Sequence, residues 1–318
     1  MPAEVADLLA QARDGSPRAL GRLLTLVEDG AAQLPELMAA VLPYAGDPHV
    51  VGITGAPGVG KSTTTSALVG RYRAAGRRVA VLAVDPSSPF TGGALLGDRV
   101  RMSEHALDDG VFVRSMASRG QLGGLAAATP QALRVLAAAG FEVVLVETVG
   151  VGQSEVEVAG AADTTAVLLG PGAGDGIQAA KAGILEIGDV LVVNKADQSG
   201  AGATESALRT VVARAGTLAP GDWQRPVLRT VAVRGEGIDA LVEALSSHRQ
   251  WLVDTGQLQV RRRRRAEQEV ASLALGLLRT RLSDPAGAEQ VAALAARVVT
   301  AELDPYAAAA QLVAELHP

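Results

Sequence analysis

One short run of residues constrains this chain more than any other: Gly55-Ala56-Pro57-Gly58-Val59-Gly60-Lys61-Ser62. Its spacing of two glycines, a lysine and a serine is typical of a loop that cradles phosphate groups between a strand and a helix. The apolar run Val50–Thr54 precedes it and the helical stretch Thr63–Ala74 follows it, which is the required context. Glycines let backbone N–H groups approach a phosphate at the start of a helix, where the helix dipole attracts anions. The sequence therefore predicts a phosphate site rather than a glycine-rich turn that matches the pattern by accident.

The side chains of this loop predict a division of roles on a bound nucleotide. Lys61 should reach the β- and γ-phosphates, the Ser62 hydroxyl should bind Mg²⁺, and Thr63 should bind the α-phosphate. Successive backbone N–H groups should form the rest of the anion cradle. The remaining loop residues in this prediction are Gly55, Gly58, Val59 and Gly60.

Short apolar runs alternate with helical stretches from His49 to about residue 253. Continuous β-branched runs are typical of strands that helices cover on both faces of a parallel sheet. We therefore expect an α/β fold of the P-loop NTPase type, with a mostly parallel sheet flanked by helices in residues 47–253. The predicted strands are Val50–Thr54, Val79–Val84, Val111–Val113, Val143–Val146, Thr165–Leu169, Val190–Val193 and Val227–Val233.

Helical patterns flank this domain on both sides. Residues 1–46 predict an N-terminal extension of two short amphipathic helices, broken at Gly15-Ser16-Pro17. Residues 254–318 predict a C-terminal arm with helical stretches to about 282, then 286–302 and 305–316. We interpret Arg261–Arg265 as a solvated helix start, because the net charge is -5 and no aromatic residues interleave with the arginines. The arm can pack on its own domain or on a second subunit, and the charged run favours a projecting arm in a homodimer.

A second motif, Asn194-Lys195-Ala196-Asp197, follows the sixth predicted strand. A carboxylate at Asp197 can accept hydrogen bonds from both N1–H and the exocyclic amine of guanine, whereas adenine would leave it facing an acceptor. We expect Lys195 to lay its stem along the base and Asn194 to tie this loop to the phosphate loop. Ala232, in the loop after the next strand, is expected to offer its N–H to guanine O6. Together with the phosphate loop, the motif predicts GTP or GDP as the ligand.

Acidic residues that follow predicted strands are the candidates for metal binding and switching. Glu147 should help to hold Mg²⁺, and the Gly150 N–H beyond it should contact the γ-phosphate. Asp85 and Asp98 are candidates for the metal shell or for orienting the attacking water; the alternative for each is a helix cap or a surface acid. The predicted catalytic set is Lys61, Asp85, Asp98 and Glu147, and the predicted metal set is Ser62, Asp85, Asp98 and Glu147.

With these motifs in place, the chain resembles the bacterial GTPases that chaperone adenosylcobalamin-dependent acyl-CoA mutases, above all methylmalonyl-CoA mutase. Older names for that family refer to arginine/ornithine transport-system kinases. The resemblance spans about residues 5–315, and its most specific stretch is Val146–Glu155. Further matches are Val84–Pro89, Gly97–Met102, Arg114–Gly120 and the loop from Pro171 to Gly183, which contains Lys181.

The resemblance implies slow GTP hydrolysis accelerated by the mutase, gating of cobalamin loading, and a homodimer formed through C-terminal helices. It implies that Lys181 lies in a loop that senses the nucleotide state. Two stretches depart from the family pattern. Residues 175–180 lack the usual acidic character, so the partner mutase stays open, and Val231 stands where the family commonly has serine, which weakens the contact expected of Ala232.

Composition bears on the alternatives. The chain has no cysteine and four scattered histidines, which argues against a metal-delivery GTPase with clustered ligands. A protein kinase of a transport system is disfavoured because Asn194–Asp197 selects guanine. No apolar run approaches the roughly 20 residues that span a bilayer, and the first thirty residues carry acids that signal and transit sequences lack. We therefore expect a cytoplasmic protein that binds neither membranes nor nucleic acid.

Overall fold

The computed structural model describes residues 2–86, 103–105, 107–118, 124–148, 160–172, 186–214, 219 and 221–315. Within these ranges a seven-stranded sheet forms in the order β3-β2-β4-β1-β5-β6-β7, and each pair of neighbouring strands is parallel. The strands are β1 (His49–Gly55), β2 (Val79–Pro86), β3 (Val111–Ser118), β4 (Val143–Thr148), β5 (Thr164–Leu169), β6 (Val190–Val193) and β7 (Val227–Arg229). This confirms the predicted fold class.

Helices cover the sheet and continue beyond it. The first five are α1 (Pro2–Arg13), α2 (Pro17–Glu28), α3 (Leu34–Val41), α4 (Lys61–Ala74) and α5 (Gly124–Ala138). The others are α6 (Ala201–Arg214), α7 (Ile238–Asp254), α8 (Gln257–Ser283), α9 (Pro285–Val299) and α10 (Pro305–Glu315). Short 3₁₀ helices occupy Leu42–Tyr44, Ser103–His105 and Ala232–Arg234. Among the residues that the structure describes, no helix combines the length and the apolar character needed to cross a membrane.

Apolar side chains pack against both faces of the sheet. Helices α1, α2, α3 and α5 share one core with strand residues such as Leu82 and Val144. Helices α4 and α7 pack on the opposite face, over strand residues such as Val81 and Leu145. Neighbouring strand residues thus face opposite cores, which is why the sequence shows continuous apolar runs rather than alternation. A third cluster joins β5 and β6 to α6 through Leu208.

Several bounds differ from the predicted elements, and strands β2 and β3 extend further than predicted, to Pro86 and Ser118. The N-terminal residues form three helices rather than two, because Leu34-Pro35 begins α3, with proline in its first turn. Strand β4 extends through Thr148, so Glu147 lies inside the strand. Strand β7 ends at Arg229 instead of Val233, because the backbone turns into the 3₁₀ helix that begins at Ala232.

The chain forms two compact units, Met1–Arg265 and Ala266–Pro318. The first contains the sheet, its covering helices and the first turns of α8. The second contains the rest of α8 together with α9 and α10. Within it, the Asp284 side chain caps α9 by accepting from the Gly287 N–H at 2.8 Å.

The interpretation of Arg261–Arg265 as a solvated helix start is wrong for three of its five residues. Arg262 Nη2 donates to Asp163 Oδ2 at 2.8 Å, and Arg265 also bonds to the carboxylate of Asp163, which is fully buried. Arg261 donates to both carboxylate oxygens of Asp189, at 2.9 and 3.0 Å. Asp163 and Asp189 immediately precede β5 and β6, so these arginines attach the start of α8 to the amino ends of two strands. We call the five residues Asp163, Asp189, Arg261, Arg262 and Arg265 the arginine anchor.

An aromatic cluster lies beside the arginine anchor. The His248 ring packs against Trp223 and Trp251, with ring centroids 4.8 and 5.7 Å away. Trp223 Nε1 donates to the Asp189 carbonyl at 2.8 Å. Burial lowers the pKa of His248 to about 4, so this ring is neutral near pH 7.

The arginine anchor predicts a pH-dependent contribution to stability. Burial alone would raise the pKa of Asp163, but hydrogen bonds and charges from Arg262 and Arg265 outweigh burial and lower it to about 2. Since this lies below the ordinary value of 3.8, ionised Asp163 stabilises the fold above about pH 4 and the contribution disappears as the pH falls toward 2. The shift corresponds to on the order of 2 kcal/mol.

We therefore expect Asp163→Asn to lower the free energy of unfolding by about 3 kcal/mol at pH 7, because it leaves the half-buried Arg262 and Arg265 without their buried counter-charge. Urea denaturation followed by circular dichroism measures this loss. Asp239→Asn is the matched control: its side chain is 77% exposed, and its ion pair with Arg71 should contribute little. The difference in the free energy of unfolding between wild type and Asp163→Asn should be smaller at pH 3 than at pH 7. An equal difference at both pH values would contradict the stabilising role of ionised Asp163.

Candidate nucleotide-binding site

The loop between β1 and α4 requires glycine at two positions. Gly60 has φ 97°, and a Cβ there would collide with the amide of Asn194. Gly55 has φ 146°, and a Cβ there would collide with the Leu168 carbonyl oxygen. Both positions are closed to other residues by the backbone angle and by the neighbouring atom. The loop thus lies directly against the ends of β5 and β6.

Lys61 begins α4 and is buried, with 6% of its surface exposed. Its Nζ donates to the carbonyl oxygens of Gly55 at 2.8 Å and Ala56 at 3.2 Å. These contacts hold the ammonium against the phosphate loop at the N-terminus of a helix. An anionic oxygen there would be a stronger partner than a neutral carbonyl, so the arrangement suits a phosphate. Thr63 lies exposed in the same helical turn.

Two oxygen-bearing side chains meet beside Lys61. Ser62 Oγ donates to Glu147 Oε1 at 2.6 Å. Glu147 is buried in β4, opposite Ile53 of β1, so the sheet itself fixes the position of its carboxylate. A hydroxyl and a carboxylate are the hard oxygen ligands that Mg²⁺ prefers. The donor set at this point therefore fits a magnesium ion.

Asn194 joins three segments of the site. The side chain is buried, and its Nδ2 donates to the Val59 carbonyl at 2.9 Å. Its Oδ1 accepts from Thr230 Oγ1 at 3.0 Å and from the Ala232 N–H at 3.1 Å. The Ala232 N–H, expected to face guanine O6, thus donates to Asn194 in this structure. One amide group links the phosphate loop, the end of β6 and the loop after β7.

Lys195 adds a second link between the two motifs. Its Nζ donates to the Gly58 carbonyl at 2.8 Å, and its backbone is left-handed with φ 56°. A positive φ in a residue other than glycine is strained and is retained where surrounding contacts impose it. The motif is therefore held in one conformation against the phosphate loop.

Asp197 is partly exposed and pairs with an arginine that the sequence analysis did not identify. Arg234 Nη1 contacts Asp197 Oδ2 at 3.1 Å. The other edge of the guanidinium contacts Glu236, with Nε to Oε1 at 2.6 Å. This hydrogen bond raises the pKa of Arg234 and lowers that of Glu236, so both groups are charged. The sequence feature that could have identified Arg234 is its position two residues after Ala232, in a loop already expected to contact the base.

The remaining predicted residues are described only in part. Asp85 belongs to β2, at the same edge of the sheet as the phosphate loop, and its side chain lies outside the described residues. Asp98, Gly150 and Lys181 also lie outside them. The described members, Gly55–Thr63, Glu147, Asn194–Asp197 and Ala232, lie at or just beyond the carboxyl ends of β1, β4, β6 and β7, where ligands bind in open parallel sheets.

The chain is similar to a family model and to several known proteins. A family model described as methylmalonyl Co-A mutase-associated GTPase MeaB matches residues 20–286. A Pyrococcus abyssi protein whose name assigns it to the GTPases is 42% identical over 313 residues, covering 98% of this chain and 97% of its own. The GTPase ArgK of Escherichia coli is 38% identical over 268 residues, covering 81% and 80%.

A eukaryotic relative and a solved structure extend the comparison. The mitochondrial methylmalonic aciduria type A homolog of Caenorhabditis briggsae is 35% identical over 280 residues, covering 81% of this chain and 67% of its own. The crystal structure of a LAO/AO transport system kinase superposes with a TM-score of 0.69 at 27% identity, covering 99% of this chain and 98% of that chain.

Proposed function

The chain belongs to the MeaB family of methylmalonyl Co-A mutase-associated GTPases, and we propose that it is a Mg²⁺-dependent GTPase that chaperones an adenosylcobalamin-dependent acyl-CoA mutase. The observation that supports GTP binding is the hydrogen bond from Asn194 to the Val59 carbonyl, which joins the Asn-Lys-x-Asp motif to the phosphate loop. A phosphate site and a base site joined in this way suit one nucleotide bound across both.

In the proposed complex, the phosphate loop and Lys61 bind the phosphates, and Thr63 binds the α-phosphate. Lys195 covers the base, and Asp197 accepts from the two guanine donors that adenine lacks. Gly150 supplies a backbone N–H to the γ-phosphate, and the Ala232 N–H, which donates to Asn194 Oδ1 in this structure, turns to guanine O6 when the base is bound. The reaction is hydrolysis of GTP to GDP and phosphate, in which Lys61 stabilises negative charge on the transferred group.

Magnesium fits the donor set at the end of β4. Ser62 and Glu147 would hold the ion, with Asp85 and Asp98 as the further acidic candidates. Bound Mg²⁺ would neutralise charge on the β- and γ-phosphates. The hydrogen bond between Ser62 and Glu147 keeps both oxygens in place at this position.

The chaperone role rests on the family description and on the relative named for methylmalonic aciduria. In this proposal the nucleotide state gates cofactor loading and protection of the mutase, and intrinsic hydrolysis is slow. A homodimer is supported by apolar side chains that stand exposed on the second unit. They include Val270, Leu273, Leu277, Val299 and Tyr306.

A transport-system kinase is the second candidate, because the solved structure with the same fold carries that name. It requires transfer of a γ-phosphoryl group from ATP to a protein. Labelled phosphate that appears on a transport protein, with no preference for GTP, would favour it over the main proposal.

The chaperone proposal predicts that the chain co-purifies from its native host with a cobalamin-dependent mutase, and that the purified mutase raises the rate of GTP hydrolysis. Phosphate release measured with and without the mutase tests the second part. The same assay with the Lys61→Ala variant detects any contaminating GTPase in the mutase preparation. A GTPase rate that is unaffected by every cobalamin mutase of the host would contradict the chaperone role while leaving the GTPase assignment intact.

A further inference from the structure

The loop that follows β7 is fixed by its own backbone. The Val231 N–H donates to the Glu236 carbonyl at 3.0 Å, and Gly237 has φ 75° and lies so close to the Arg229 carbonyl that a Cβ there would collide with it. The Ala232 N–H ties the same loop to Asn194. The 3₁₀ helix Ala232–Arg234 therefore has a set position relative to the Asn-Lys-x-Asp motif, and Arg234 is presented to Asp197 at a set distance.

Arg234 bridges two carboxylates with the two edges of its guanidinium. Nη1 contacts Asp197 Oδ2 at 3.1 Å, while Nε and Nη2 contact the two oxygens of Glu236 at 2.6 and 3.3 Å. Among the described residues, Arg234 alone hydrogen-bonds to the Asp197 carboxylate. Val231, which comes just before Ala232, has no hydroxyl to offer it.

We propose that Arg234 is a positioning residue for guanine recognition: it holds the plane of the Asp197 carboxylate so that both oxygens face the two donors of the base. The proposal rests on the proposed guanine site. An ionised carboxylate offers about four acceptor positions, so one bond from Arg234 leaves room for both guanine donors. Glu236 fixes the guanidinium from its other edge, and the Asp197 carboxylate is thereby ordered before the nucleotide binds.

The physical reason is the ordering of a partly exposed side chain. A carboxylate that rotates freely loses conformational entropy when it binds two donors at once, and this loss costs about 0.5–1.5 kcal/mol, or roughly 2- to 13-fold in affinity. Inosine diphosphate lacks the exocyclic amine and offers a single donor. Its binding demands less of the carboxylate orientation than the binding of GDP does.

The test measures GDP and IDP affinities of the full-length protein by calorimetry. Arg234→Ala should weaken GDP binding about 3- to 10-fold and lower the ratio of GDP to IDP affinity. Arg234→Lys, which keeps the charge but not the planar fork, should restore part of that ratio. Arg209→Ala removes an exposed arginine from its pair with Glu205 on α6, and it should leave both affinities unchanged.

Each other outcome has a definite meaning. Tighter GDP binding by Arg234→Ala would overturn the proposal, since Arg234 would then be a competitor of guanine for Asp197. An equal loss for GDP and IDP, or no loss, would overturn it as well, because a merely structural role moves both alike. Wild-type protein that fails to prefer GDP over IDP would overturn the guanine site itself, and this inference with it.

Discussion

Replacement of Lys61 with alanine should reduce GTP hydrolysis by at least about 100-fold, because the variant loses the buried ammonium that lies where the β- and γ-phosphates are expected to bind. The ammonium is buried against two loop carbonyls, and the adjacent Ser62 is bonded to Glu147. Alanine removes the charge that should stabilise the transferred phosphoryl group. Single-turnover phosphate release with excess protein measures the chemical step directly.

Arg71→Ala is the matched control, since Arg71 lies on the same helix and pairs with exposed Asp239 at 3.1 Å. Its rate should stay within about twofold of wild type, because exposed ion pairs contribute little. Circular dichroism establishes that both variants are folded. Undiminished turnover in Lys61→Ala would remove the phosphate loop from the proposed mechanism.

The second large effect is expected at the base. Asp197→Asn should weaken GDP binding by about 100-fold or more. The asparagine N–H₂ group would face the exocyclic amine of guanine, so that two donors meet, and the bonds to a charged carboxylate would be lost. Xanthosine diphosphate carries an oxygen in place of that amine, so the asparagine N–H₂ group can donate to it. The preference should therefore invert from GDP to XDP.

Competition between the two nucleotides, followed by calorimetry, measures this inversion. Asp254→Asn serves as the control, because Asp254 is exposed at the end of α7 and accepts only from Gln250 of the same helix among the described residues. Its selectivity should equal that of wild type. GDP affinity unchanged in Asp197→Asn would show that another residue recognises the base.

Local patterns in the sequence predicted the fold well for a physical reason. A strand covered on both faces produces an apolar run of its own, so all seven strands were found, and the phosphate loop marks the end of β1. The ends of strands were harder to predict where hydrogen bonds between distant residues determine them. Strand β7 ends early because Thr230 and Ala232 donate to Asn194 and the Val231 N–H donates to Glu236, and no pattern within residues 227–233 indicates this.

Charged residues were harder to interpret than apolar ones. Arg261–Arg265 looks like a solvated run because its partners, Asp163 and Asp189, lie about 70 to 100 residues earlier in the sequence. Arg234 was missed for the same reason, since its contact with Asp197 spans 37 positions. Ion pairs of this type depend on the folded arrangement of loops, whereas the types and spacing of Lys61, Ser62, Asn194 and Asp197 follow from the chemistry of the nucleotide.

The aromatic cluster beside the arginine anchor gives the molecule an optical property. The chain contains two tryptophans, and Trp223 and Trp251 both pack on His248, so its entire indole emission arises at this one place. Trp223 also donates to the carbonyl of Asp189, whose carboxylate binds Arg261. Ultraviolet fluorescence of the unlabelled protein is therefore a local signal: its wavelength and intensity report how tightly the first turns of α8 are fastened to the amino ends of β5 and β6.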